Sequence, residues 1–310
     1  VFNNVTHCSE QTYTGRFAPS PTGPLHFGSL IAALASFLDA RANHGQWLVR
    51  MEDIDRPRCV EGADERILEC LVAHELRWDG EVRYQSEQLN DYEDVLQQLL
   101  AQKALYACEC TRKQIKATGG VYQGTCRERD LPPMGNALRL KCDQPVTRFT
   151  DQLLGPITIS DPHALEDTVL RRRDGLHSYN LVVVVDDIAQ GVNHIVRGSD
   201  LLTTTAAHLT LYRQLGKTPP SYTHIPVAAT SSGRKLSKQN HARSLDNQRA
   251  LQNLQQALKF LGFSDIANHH NSISALLNAA IAAWQYNKIP KRHEIIVDGA
   301  ESTYHDAPES

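Results

Sequence analysis

The stretch GRFAPSPTGPLHFGS, Gly15–Ser29, decides how the rest of the chain is read. A strand-like segment, Tyr13–Phe17, runs into a loop with prolines at 19, 21 and 24. The loop ends in His26-Phe27-Gly28-Ser29, at the mouth of an apolar, helix-patterned run, Gly28–Ala42. The prolines stiffen the loop and leave few N–H groups to satisfy internally. Gly28 has no side chain, so a flat ring can lie on its backbone. His26 offers a ring N–H at the positive end of a helix, where phosphate oxygens are favoured. Trp47–Met51 follows as a second strand, and strand, loop, helix, strand in that order is a βαβ unit with parallel pairing. Ligands of such sheets sit at the carboxyl ends of the strands, where Gly15–Ser29 falls. The stretch is neither a GxGxxG fingerprint nor a Walker loop, which argues against a dinucleotide enzyme or a P-loop ATPase.

The bulk properties narrow the setting. The chain has 310 residues, 41% hydrophobic and 22% charged, enough for a sizeable core. It has no apolar run of about 18 residues and no signal-peptide pattern at its start, so a cytoplasmic protein without a membrane span is expected. Seven cysteines, unevenly spaced, do not read as a disulfide framework; reduced thiols and a metal site fit better. The formal charge is −3, unevenly spread: residues 101–150 hold nine Lys and Arg against four Asp and Glu, while residues 1–100 hold eight against sixteen. A local basic segment is what contact with a nucleic-acid backbone requires, although a solvated basic face has the same composition.

Further along, Gly62–His74 and Asp91–Lys103 read as helices, and Ala107 to about Arg148 as an irregular insert rich in Cys, Gly, Pro and basic residues. LVVVVDDIAQG, 181–191, reads as a strand buried on both faces. NHIVRGSDLL gives a strand and then a helix to Leu215, YTHIPVAAT a last strand, and Ser244–Leu261 and Ser272–Tyr286 two helices; beyond Ala300 a disordered tail is expected. The fold expected is α/β: a Rossmann-like parallel sheet with a small inserted zinc-bearing subdomain and a short helical C-terminal region. Its parts are residues 1–104 and 176–240 for the two halves of the sheet domain, 105–175 for the insert and 241–310 for the helical end.

A lone His-x-Gly is usually a helix-capping turn. Here a second signal, RKLSK at Arg234–Lys238, sets three cations and a serine in a glycine-flanked loop. With HFGS and KLSK together, the chain resembles the class I aminoacyl-tRNA synthetases, whose paired signatures are His-Ile-Gly-His and Lys-Met-Ser-Lys. GRFAPSPTGPLHFGSL, RMEDIDRPR, HIVRGSDLL and HIPVAATSSGRKLSK are similar in order and spacing to the glutamate branch, over about Tyr13–Gln239. Ser29 stands where the class commonly has His, a position at which the glutamate branch tolerates small residues.

The resemblance implies that a glutamate carboxylate is joined to the α-phosphate of ATP. His26 and Gly28 would seat ATP, and Lys238, with Lys235, would close on the leaving pyrophosphate, His26 and Lys238 being the catalytic pair. Mg²⁺ would accompany ATP, with no ligand for it identifiable. Arg16 and Arg197 would hold carboxylates and Glu52 the ammonium group, with Ser20 and Tyr179 adding hydrogen bonds and Phe17, Ala18 and Pro19 completing the glutamate site. Spacing alone marks Cys108, Cys110 and Cys126 as thiolate ligands for one structural Zn²⁺, with Cys142 or water as fourth ligand. The family pattern favours Tyr122 as that fourth ligand.

Only 72 residues follow Lys238, too few for the anticodon-binding domain expected of a full-length member of the branch. That shape resembles the short paralogues of the branch, which pass activated glutamate to the cyclopentene diol of queuosine in the anticodon loop of tRNA(Asp). A monomer acting on glutamate and tRNA is expected, the basic segment 101–150 cradling the anticodon stem-loop. Three other readings stand beside it: a truncated enzyme charging a terminal adenosine, a non-catalytic glutamate- or tRNA-binding module, and an adenylate-forming ligase with another acceptor.

Overall fold

Parallel pairing of the first two strands sets the architecture. In the computed structural model, which describes residues 12–231, 234–235 and 243–297, β1 (Thr14–Phe17), α1 (Phe27–Ala42) and β2 (Gln46–Met51) form the βαβ unit, with Arg16 opposite Leu48. The helix α1 is apolar around most of its circumference, and residues 30, 31 and 33–40 are all buried. A helix with that pattern must be covered on several sides. The β1–β2 sheet covers one side and C-terminal helices cover another.

After α2 (Ala63–Ala73), β3 (Arg83–Tyr84) extends the parallel sheet in the order β1-β2-β3. Helix α3 (Leu89–Ala101) leads to the insert: β4 (Leu105–Cys108), α4 (Arg112–Ala117), β5 (Ala137–Leu140), β6 (Arg148–Asp151), β7 (Gly155–Thr158), α5 (Pro162–Leu165) and β8 (Val169–Arg171). The segment read as irregular thus contains an antiparallel sheet, β4-β5-β8. The chain then gives α6 (Tyr179–Ala189), β9 (His194–Gly198), α7 (Thr204–Gln214), β10 (Ser221–Ile225), β11 (Val227–Ser231) and β12 (Arg234–Lys235). It ends with α8 (Ala250–Phe260), α9 (Ser264–Ala267), α10 (Ile273–Ala283) and β13 (Glu294–Ile296).

The second sheet runs β7-β6-β10-β9, with β9, β10 and β6 parallel and β7 antiparallel at its edge. It is stitched to the first where Asn193 N donates to Thr14 O at 3.0 Å and Asn193 Oδ1 accepts from Thr14 N at 2.8 Å. The carboxyl ends of β1 and β9 therefore lie side by side.

Two readings of the sequence are corrected. Residues 181–191 form no strand: 181–189 belong to α6 and Gln190 caps it, the helix being started by Ser178, whose side chain accepts from Leu181 N at 3.4 Å. Val182, Val183 and Val184 are fully buried, and an apolar run buried on every side carries no period to separate helix from strand. YTHIPVAAT is two strands rather than one, broken at Pro226; β11 leaves the sheet of β10 and pairs with β12 and β13 instead. Lys238 and the tail beyond Ala300 lie outside the described residues.

The C-terminal helices share the core of the first βαβ unit: Leu254, Leu258, Phe263 and Leu276 pack in one cluster with Leu30, Leu34 and Leu38. A buried carboxylate locks that joint. Asp39 of α1 accepts from Trp284 Nε1 and Tyr286 Oη, each at 2.8 Å, and from Tyr13 Oη. Asp39→Ala removes the acceptor of two buried donors, Tyr13 and Trp284, and of the half-buried Tyr286, and should lower unfolding stability by about 2 kcal/mol or more, read as a shift of the urea midpoint at unchanged slope.

Candidate active site

A cleft of about 370 Å³ opens where the carboxyl ends of β1, β2 and β9 meet the N-termini of α1 and α6. The end of β1 and the proline loop supply Arg16, Phe17, Ala18, Pro19 and Ser20 to its wall. The start of α1 supplies His26 and Gly28, the end of β2 Glu52, the first residue of α6 Tyr179, and β9 Arg197. Residues that the sequence scatters over 180 positions thus surround one space. Lys235 is described only in its backbone, paired with Ala229, and Lys238 lies outside the described residues.

His26 is the N-cap of α1; its Nδ1 accepts from Ser29 N at 3.4 Å. With Nδ1 used as acceptor, the neutral ring carries its proton on Nε2, a donor beside the positive end of the helix.

Beneath the cleft lies a buried ionic network. Asp187 Oδ1 accepts from Arg50 Nη1 at 2.8 Å and from Arg16 Nε at 3.2 Å. Asp186 takes Arg83 Nε and Gln85 Nε2, each at 2.9 Å, and the Tyr92 hydroxyl. Arg50 reaches Glu52 at 3.7 Å. Burial pushes the Glu52 carboxyl up from its ordinary 4.5 to about 7, against the opposing pull of Arg50 and Arg16. Burial also pushes the Tyr179 phenol up to about 12, which keeps it a donor near neutrality.

Arg197 differs from Arg16. It is 4% exposed, yet no carboxylate among the described residues pairs with it. Its partners are Thr205 Oγ1 at 2.7 Å, Leu201 O and His224 Nε2 at 3.2 Å, and His208 Nδ1 at 3.4 Å, with the Tyr222 ring 5.1 Å away. Burial foremost, then the Arg197 charge, drives the His208 pKa well below its ordinary value, so this ring stays neutral. A guanidinium buried among neutral groups at the wall of a cleft can receive an anion.

The sequence reading did not single out Arg50, Asp186, Asp187, Thr205, His208 or His224. The two aspartates carried a usable signal, since adjacent acids at the end of an apolar run are out of place in a strand buried on both faces. The others carry no local signal; only the packing of β2, α7 and β10 sets them beneath the cleft, around Asp187 and Arg197.

Far from the cleft, at the end of β4, the sulfurs of Cys108, Cys110 and Cys126 all lie within 4.8 Å of one another. Thiolates at the corners of a zinc tetrahedron stand about 3.8 Å apart, given a Zn–S distance of about 2.3 Å. The Tyr122 hydroxyl is in the same knot, accepting from Cys126 N at 2.9 Å and bonded to Cys108 and Tyr106. The donor set fits zinc. Cys142 does not join it: its sulfur lies 3.6 Å from Leu140 O and packs in a different cluster.

The family model for the catalytic domain of class I tRNA synthetases (E and Q) matches residues 13–264. The chain belongs to this family and is a ligase of the aminoacyl-tRNA synthetase type. Among its relatives, the glutamyl-Q tRNA(Asp) synthetase of Photobacterium profundum is 48% identical over 295 residues, covering 95% of each chain. That of Vibrio parahaemolyticus is 49% identical over 285 residues, covering 91% of this chain and 96% of its own. The fold is that of the glutamate-tRNA synthetase of Elizabethkingia anophelis, with a TM-score of 0.77 at 24% identity over 93% of this chain and 68% of that one. No helix among the described residues is long and apolar enough to cross a membrane.

Gly198, the last residue of β9, has no room for a side chain: a Cβ there would collide with the Asp200 carboxylate and lie 2.8 Å from Val227 Cγ1. Gly198→Ala should therefore reduce ligase activity at least about tenfold, since small misplacements in a site cost that much, and should lower unfolding stability by about 1–3 kcal/mol through overpacking.

Proposed function

We propose that this chain activates glutamate with ATP and transfers the glutamyl group to queuosine in the anticodon loop of tRNA(Asp). Arg197 carries the reading. Arg16 and Arg50 share Asp187, whereas Arg197 at the cleft wall has no carboxylate partner among the described residues. Glutamate, with two carboxylates and one ammonium, brings an excess of one anion. Arg197 takes one carboxylate, Arg16 turns its free guanidinium edge to the other, and Glu52 accepts from the ammonium, with Ser20 and Tyr179 adding hydrogen bonds.

ATP would lie over Gly28 with its phosphates toward His26 and the N-terminus of α1, and Mg²⁺ bound with it would offset phosphate charge. A glutamate carboxylate oxygen attacks the α-phosphorus, the bond to the β-phosphate oxygen breaks, and pyrophosphate leaves. Lys238 and Lys235 stabilise that leaving charge. A queuosine hydroxyl then attacks the acyl carbon, and AMP leaves. Little proton transfer is needed in the first step, so orientation and charge stabilisation dominate. Cys108, Cys110, Tyr122 and Cys126 would hold one zinc ion, which staples the loop between β4 and β5. The names of the relatives support queuosine as acceptor.

Labelled glutamate and ATP should label bulk tRNA that contains queuosine and leave queuosine-free tRNA unlabelled. Equal labelling of both pools would assign a terminal adenosine as acceptor. No labelling of either pool, with no pyrophosphate exchange, would leave a binding module. Because Glu52 must be ionised to accept from the ammonium, and titrates at about 7, the KM for glutamate should fall about tenfold as pH rises from about 6 to about 8. Glu52→Gln should weaken binding and flatten that dependence. Metal analysis should find about one zinc per chain, and less than about half an equivalent would count against the site.

A further inference from the structure

We propose that Asp151 and His224 are positioning residues for Arg197: Asp151 fixes the tautomer of His224, and the imidazole then holds the guanidinium without neutralising it. This rests on the reading that Arg197 receives a substrate carboxylate. Asp151 ends β6, in the segment read from sequence as the insert, yet its side chain lies beneath the cleft wall and is 1% exposed. Oδ1 accepts from Leu153 N at 3.0 Å and Leu154 N at 2.8 Å. Oδ2 accepts from His224 N at 3.0 Å and stands 2.7 Å from His224 Nδ1. A carboxylate that already accepts from three backbone N–H groups is an acceptor toward the ring as well, so Nδ1 is the nitrogen that carries the proton.

The other ring nitrogen is then a lone pair. His224 and Arg197 are register partners on β10 and β9, which sets their side chains abreast. Nε2 lies 3.2 Å from Arg197 Nε and 3.0 Å from Thr205 Oγ1. Thr205 in turn accepts from Arg197 Nη2 at 2.7 Å. Burial foremost, with the Arg197 charge adding to it, lowers the His224 pKa despite the Asp151 hydrogen bond, so the ring is a neutral acceptor.

Placing the carboxylate one imidazole away has a consequence. A carboxylate touching Arg197 would answer its charge and compete with the substrate, as Asp187 does in part at Arg16. An imidazole fixes the fork's direction and leaves its charge for the ligand. In the opposite tautomer, an N–H on Nε2 would face Arg197 Nε–H, and the fork would have to turn.

Asp151→Asn tests this. The amide can keep the Leu153 and Leu154 N–H groups only by turning its NH₂ toward His224, which drives the ring proton to Nε2 and costs the His224 backbone N–H its acceptor. In pyrophosphate exchange the KM for glutamate should rise at least about tenfold, the loss expected for one charge-assisted buried hydrogen bond. The kcat and the KM for ATP should stay within about twofold. Nitrogen NMR of the unaltered protein should find His224 protonated on Nδ1, a readout that needs no variant; protonation on Nε2 would overturn the proposal. Equal losses in glutamate KM, ATP KM and kcat would also overturn it, by making Asp151 merely structural. Arg197→Ala separates the two layers of inference. If it leaves glutamate KM unchanged, the carboxylate-receptor reading fails and this one with it. If it raises that KM while Asp151→Asn does not, only the positioning role fails.

Discussion

A guanidinium withdrawn from water needs acceptors around it, and the choice of acceptor decides whether it remains useful to a ligand. At Arg197 the acceptors are a threonine hydroxyl, a carbonyl and two imidazoles. Much of the molecule is arranged around that choice. The strand pair β9–β10 sets Arg197 beside His224, α7 supplies Thr205 and His208, and β6 brings Asp151 from a distant part of the chain.

The neighbouring cations follow a different rule. Arg16 and Arg50 share Asp187, Arg83 takes Asp186, and Arg50 also lies 3.7 Å from Asp186, so the adjacent aspartates near the end of α6 anchor one continuous network. That network holds β1, β2, β3 and α6 in one arrangement, and it leaves Glu52 in a setting where burial outweighs its cationic neighbours. The cleft is therefore rigid in its charges before any ligand arrives, as stabilisation by preorganised groups requires. Behind it, the Asp39 knot joins the last helices to α1, whose N-terminus carries His26. The C-terminal layer thus supports the site by fixing the helix that presents it.

The βαβ start, the proline-stiffened loop and the His-x-Gly at a helix mouth were legible in the residues themselves, because each is complete within a short stretch. Glu52, Tyr179 and Arg197 were named only through the family resemblance, and the cleft is lined by further residues, Asp200 and Val227 among them, that neither route singled out. The three cysteines, like the loop, were legible as a group because all of them lie within twenty residues. Their family pattern also pointed to Tyr122 over Cys142, and the structure sets Cys142 apart by turning it into another cluster.

Only the tertiary structure decided the state of residues 181–191, because an apolar run buried on all sides shows no period and its end is fixed by what Asp186 and Asp187 meet. The split of YTHIPVAAT was equally out of reach, since whether a strand continues past Pro226 depends on which neighbours lie beyond it. The same holds for the surroundings of Arg197. Asp151, Thr205, His208 and His224 come from three elements, and nothing in their local sequence says that their side chains converge. A sequence names the groups that bind a ligand when one short loop carries them. It is silent about the groups that orient them, because orientation is a property of packing.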